Sequence, residues 1–178
     1  MAEEPGTLRL WAMRGLYLAS CLAMVLAALL PLSGLPRSVP PPDFILALTL
    51  AWLIRRPDQV PLWAVLAVFL LCDVVFLNPP GLNTALVVLA TEYIRTHPRM
   101  RKETSLPSEV LRVGVIVLAI AIAERILLAV TLSPAPGLGP SFAQAVLTIA
   151  VYPAAILVTR IVFAVRHGRG EPAQGATT

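Results

Sequence analysis

Charge is scarce in this chain. Of 178 residues, only 13% are Asp, Glu, Lys or Arg, 57% are apolar, and the mean hydropathy is +0.80. A soluble domain carries about 25% charged residues, so composition alone sets aside a soluble fold. Histidine occurs twice, as His97 and His167, both in basic flanks. Cys21 and Cys72 lie inside apolar runs, where a thiol behaves as a small hydrophobe rather than half of a disulfide. Neither residue type offers a metal-ligand spacing. No Ser/His/Asp set, no glycine-rich phosphate loop and no helix with repeated acids stands out. An enzyme needs a converging catalytic pair, so the expectation is a non-enzyme without cofactor or metal. The net charge of +4 is no nucleic-acid footprint either, because the basic residues gather in short segments between apolar runs. That is the pattern of membrane topology.

What remains is apolar sequence cut into helix-sized pieces. At about 20 residues per span, the chain has room for five or six crossings and no separate soluble domain. The expected helices run from about Trp11 to Leu32, from Pro41 or Pro42 to Arg55, from Pro61 to Leu77, from Leu82 to Ile94, from Val110 to Leu132 and from Ser141 to Val165. Proline-rich connectors at 33–42 and 133–140 cannot be helix interior. Pro153 falls inside the last helix and is expected to kink it. The fold class is therefore an all-α polytopic membrane protein, a six-transmembrane-helix bundle. A polar cytoplasmic tail occupies residues 1–10, and a disordered cytoplasmic tail follows from residue 166. With six spans, nearly all basic residues fall on one side and only Arg37 lies in a loop on the other. The positive-inside rule then places both termini in the cytoplasm.

The chain is organised around Pro42 to Leu82: two short helices joined by Arg55-Arg56-Pro57 and closed by Asn78-Pro79-Pro80-Gly81-Leu82. Both helices are short against a hydrocarbon core of about 30 Å, which implies thinning, tilt or burial inside the bundle. Asp43 and Asp73 fall toward the same outer face. Glu124 and Arg125 lie in the fifth helix, also in its outer half. Charge inside apolar helix is costly and is a functional candidate by default. Arg125 either pairs with Asp73 or Asp43, or snorkels to the head groups. Glu92 is one turn from Arg95 and reads as a local pair. The basic run Arg95 to Lys102 reads first as a lipid-facing topology determinant, with partner docking as the alternative. Trp11, Trp52 and Trp63 read as an aromatic belt at the membrane interface. Gly15, Ala19 and Ala23 recur at four-residue spacing, the arrangement that lets helices approach closely in lipid. Either a partner helix or the bundle itself could use them. Pro79, Pro80 and Gly81 form either a plain connector or a rigid corner that a partner reads.

At Pro42-Asp43-Phe44, Trp52, Arg55-Arg56-Pro57, Val60-Pro61, Asp73 and Pro79-Pro80-Gly81-Leu82, the chain resembles the rod shape-determining MreD family. Glu92-Tyr93-Ile94-Arg95 and Glu109 resemble its alphaproteobacterial form. The resemblance covers roughly Trp11 to Val165. It implies a non-enzymatic, multi-pass protein of the bacterial inner membrane that maintains rod shape within the cell-wall elongation machinery. It implies direct binding of MreC. RodA, a class B penicillin-binding transpeptidase and the actin-like MreB would belong to the same complex, and the phospholipid bilayer would be the medium. The family is also similar, distantly, to the six-helix substrate-binding subunits of energy-coupling-factor transporters. That likeness supplies a fold expectation and a rival function, a small-molecule-binding subunit.

Overall fold

The computed structural model describes residues 5–30, 41–97, 105–131 and 137–167. The connector around Arg37, the basic residues Arg99, Arg101 and Lys102, residues 133–136 and the tail from 168 lie outside the described residues. Within them the chain forms six α-helices: α1 (Pro5–Leu29), α2 (Phe44–Arg55), α3 (Leu62–Val75), α4 (Leu82–Thr96), α5 (Leu106–Val130) and α6 (Leu138–His167). A 3₁₀ turn, Pro57–Gln59, joins α2 to α3.

Three of these helices are long and apolar enough to cross a membrane: Thr7–Leu29 in α1, Leu106–Val130 in α5 and Leu138–Ile161 in α6. The other three are shorter, and α2 shows why a short helix suffices. Its residues Ile45 to Leu53 are buried without interruption, on every face. A helix apolar all round belongs in an interior. It needs no membrane-spanning length, because protein rather than lipid surrounds it. It packs most extensively on α6 and also touches α1 and α4.

Several boundaries differ from the sequence expectation, each for a local reason. α1 begins at Pro5, inside the stretch expected to be a tail, since proline is favoured in a first turn. α5 begins four residues early, with Pro107 in its first turn. α6 begins at Leu138 and takes in Gly139 and Pro140, which were expected to be connector. A proline there loses no hydrogen bond, because first-turn N–H groups have no intrahelical partner. The same helix continues past Arg166 to His167 and runs through Pro153. α2 begins at Phe44 rather than at the prolines, with Asp43 as its N-cap.

The polar side chains of α2 tie it to its neighbours. The hydroxyls of Tyr17 (α1) and Thr49 share a hydrogen bond of 3.0 Å in the core. Tyr17 also meets Trp52 edge-on, with ring centroids 5.7 Å apart. Trp52 itself is completely buried and donates from Nε1 to Gln59 Oε1 at 3.0 Å. It is therefore a core anchor and not a belt residue, whereas Trp11 and Trp63 are exposed as expected. Trp52→Phe removes this donor from the half-buried Gln59 carbonyl, a loss of about 0.5–1.5 kcal/mol. Thermal unfolding in detergent checks this, and an unchanged midpoint would show that the bond contributes nothing.

Arginines hold the 3₁₀ turn from two sides. Arg14 of α1 donates to the Asp58 carbonyl at 3.3 and 3.2 Å. Arg95 of α4 donates to the carbonyls of Val60 at 2.7 Å and Pro57 at 3.4 Å. Cations suit these carbonyl-rich ends, where helix dipoles point their negative poles. Residues that read as topology signals thus also close the connection between α2 and α3.

Candidate functional site

Three arrangements surround the central helix, two of them polar. The first is at the α3–α4 corner. Asp73, in the last turn of α3 two residues before its end, has no solvent exposure. Its Oδ2 accepts from the Gly81 N–H at 3.0 Å, the Thr84 N–H at 3.2 Å and the Thr84 hydroxyl at 2.7 Å. Gly81 sits at the N-cap of α4 and has no side chain to fill that role. Asp73 performs it from the preceding helix. A carboxylate there satisfies orphan N–H groups and meets the positive end of the helix dipole. The corner is tight. Gly81 has φ +86°, which glycine adopts without penalty, and Leu77 has φ +57°, which a leucine rarely does. The Asn78 N–H closes back on the Asp73 carbonyl at 2.9 Å. Pro79, Pro80 and Gly81 therefore form a braced corner rather than a loose connector. Its rim, including Leu77, Asn78 and Pro80, is exposed.

Asp43 lies in the same region with a different task. Its Oδ1 accepts from the Leu46 N–H at 2.8 Å, and its own N–H donates to Thr148 Oγ1 of α6 at 2.9 Å. The Thr148 hydroxyl donates in turn to Gln144 O at 2.8 Å. Asp43 and Asp73 both act electrostatically on Glu124 of α5. The sequence grouped the two aspartates with Arg125 and placed Glu124 only in the outer half of the same helix; the influence of both aspartates on Glu124 is a further feature of this region. The pairing with Arg125, one of the two readings of that residue, is not among the ion pairs of the described residues, which are Arg55–Glu109 and Arg95–Glu92. The side-chain partners of the two aspartates are backbone N–H groups and a hydroxyl, and among the described residues Asp73 Oδ1 meets no donor. Helix capping answered these carboxylates first, because the orphan N–H groups of α2 and α4 are fixed in place by the backbone. Arg125 is half-buried on α5.

The second arrangement lies at the opposite end of α2. Arg55 grips Glu109 of α5 fork to fork, Nη1 to Oε1 at 3.1 Å and Nη2 to Oε2 at 3.3 Å. Both side chains are only 16% exposed. Tyr152 of α6 donates to the same Glu109 Oε1 at 2.7 Å, and Arg55 also donates to the Ala51 carbonyl at 2.9 Å. Three helices meet at one carboxylate. The sequence marked Arg55 and Glu109 only as parts of motifs, and it gave no sign of Tyr152. A tyrosine in an apolar run reads equally as core filler. The Glu92–Arg95 contact is present at 3.0 Å, as expected from its i,i+3 spacing.

The third arrangement is the outward face of α1. Met13, Tyr17, Cys21 and Val25 recur every four residues and are buried. Gly15, Ala19 and Ala23 lie on other faces and are exposed. A Cβ placed on Gly15 would meet nothing within 4 Å. The small residues therefore do not serve internal packing of α1. Gly114 of α5 does: a Cβ there would lie 3.5 Å from Ile149 of α6.

Comparisons with known proteins return no matching family model, no similar curated protein and no similar solved structure.

Proposed function

We propose that this chain is a non-enzymatic scaffold of the bacterial inner membrane that acts in cell-wall elongation, as the likeness of its motifs to MreD implies. In this reading it crosses the membrane six times with both termini in the cytoplasm. α1 receives the single transmembrane helix of an MreC-like partner, and the braced Pro79-Pro80-Gly81 corner faces that partner's stem outside. RodA, the class B transpeptidase and MreB act in the same assembly. The observation that carries the reading is the exposed face of α1 with Gly15, Ala19 and Ala23. Without a hydrophobic driving force between helices in lipid, association depends on close approach of backbones, which small residues permit. The basic end of the bundle supports the orientation: Arg14 and Arg95 converge on the 3₁₀ turn, next in the chain to Arg55 and Arg56.

The alternative, a small-molecule-binding subunit of a transporter, needs a cavity among the outer helix ends that Asp43, Asp73 and Arg125 would line. It has less support. Asp73 Oδ2 is committed to α4, and the apolar cleft described below is lined by none of these acids.

The test replaces Gly15 and Ala19 together by Leu. Thermal stability should hold, because both positions face outward. Co-purification of the single-span partner should fall at least about tenfold, equivalent to about 1.4 kcal/mol. A rod-shaped host carrying only this variant should widen or round. Full partner yield from a stably folded variant removes α1 from the interface. Normal rods after depletion of the protein, growing only with an added nutrient, would establish the transporter reading instead.

A further inference from the structure

Between α5 and α6 lies an open cleft of about 770 Å³. Its wall is apolar from Leu106 through Gly114 to Leu118 on α5, and across Ile149 and Pro153 on α6, with Arg160 as the one charged residue lining it. Two small features make the depression. Gly114 contributes no side chain where α6 approaches, and Pro153 leaves a flat, short ring in a helix of longer residues. Arg160 is exposed and, among the described residues, has no hydrogen-bond or ion-pair partner. Leu106 opens α5, in the same first turn as Glu109, whose partner Arg55 ends α2.

We infer that this cleft is a binding site for one anionic phospholipid, with an acyl chain along Gly114 and Leu118 and the phosphate at Arg160. Length and charge both select this occupant. From Leu106 to Leu118 the cleft follows α5 for about 18 Å at 1.5 Å per residue. That is close to one leaflet, half of a hydrocarbon core about 30 Å thick. A transmembrane helix would need a groove of twice this length. The cation stands at one end of the cleft and the apolar wall fills the rest, which is the polarity of a lipid. Basic pockets between spanning helices take anionic head groups in this way. An arginine suits a phosphate better than lysine does, since its planar fork can bind two oxygens at once. The site is independent of the α1 face, so a partner helix and the lipid could be held together.

Native mass spectrometry of the full chain in mild detergent, with phosphatidylglycerol or phosphatidylcholine added, tests the site. Wild type should retain one phosphatidylglycerol about fivefold better than phosphatidylcholine, the factor expected from one arginine at a lipid surface. Arg160→Gln should abolish the preference, and Arg160→Lys should keep part of it. Leu118→Trp, filling the apolar wall, should reduce retention of both lipids while the unfolding midpoint stays within the range of the Arg160 variants. Equal retention of the two lipids by wild type overturns the inference. So does a phosphatidylglycerol preference that survives in Arg160→Gln, which would place the charge contact elsewhere. A dimer in wild type that Leu118→Trp dissolves would show that a second copy occupies the cleft.

Discussion

Glu109→Gln should lower stability by about 3–5 kcal/mol, the usual consequence of removing one partner from a buried ion pair. The size follows from the geometry around this one carboxylate. Glu109 takes two contacts from Arg55 and one from Tyr152, with each charged side chain 16% exposed. In the variant, the amide keeps one oxygen to accept from Arg55 or Tyr152, but the guanidinium loses its counter-charge and faces an amide N–H₂ in place of the second oxygen. Arg55→Gln should cost a similar amount, because Glu109 then faces only the Tyr152 hydroxyl. Replacing Arg55 and Glu109 together by Met should recover most of the loss, since a pair of apolar residues leaves no uncompensated charge. Thermal unfolding of the three variants in detergent reads this directly. Losses that simply add in the double variant would show that the two residues act separately. Tyr152→Phe should be milder, about 1–3 kcal/mol, as it removes one hydrogen bond to a charged group.

Asp73→Ala should be the other severe change, on the order of 3 kcal/mol. It strips the Gly81 N–H, the Thr84 N–H and the Thr84 hydroxyl of their acceptor at once, in a position with no solvent to replace it. A midpoint lower by roughly 6–12 °C is expected for a chain of this size. Asp73→Asn keeps one carbonyl oxygen and should lose less than half as much. The comparison with Arg125 discriminates capping from ion pairing. Because Asp73 bonds to α4 and not to Arg125, Asp73→Asn and Arg125→Gln should add to within about 0.5 kcal/mol. A larger coupling would show that the two charges interact after all. The consequence for function runs through the corner. With Gly81 in the left-handed region and Leu77 strained beside it, loss of the Asp73 brace frees the Pro79-Pro80-Gly81 turn that the scaffold reading aims at a partner.

The membrane character of this chain was decided by composition and run length, which no packing arrangement could reverse. Among the described residues, six helices near the expected places follow from the same apolar runs, interrupted by prolines and arginines. The exposure of Trp11 and Trp63 and the local Glu92–Arg95 pair agree with the sequence reading, the pair because it depends only on neighbours in sequence. Long-range partners were not legible. Arg55 with Glu109 and Tyr152, Asp43 with Thr148, and Asp73 with Thr84 each join different helices. Sequence spacing says nothing about which faces of separate helices meet. Arg125 shows the limit: the sequence left open whether it pairs with Asp73 or Asp43 or reaches the head groups, and nothing in its spacing pointed to the N–H groups at the start of α4 that Asp73 caps. Trp52 shows the same limit, since an aromatic near a helix end fits either a lipid interface or a core. Only the burial of α2 on all sides settled it. The α1 face is the converse case. Four-residue spacing of Gly15, Ala19 and Ala23 was visible at once, but the direction in which they point depended on where Met13, Tyr17 and Cys21 found the bundle. A helix has several equivalent stripes, and tertiary packing chooses which one is left facing outward.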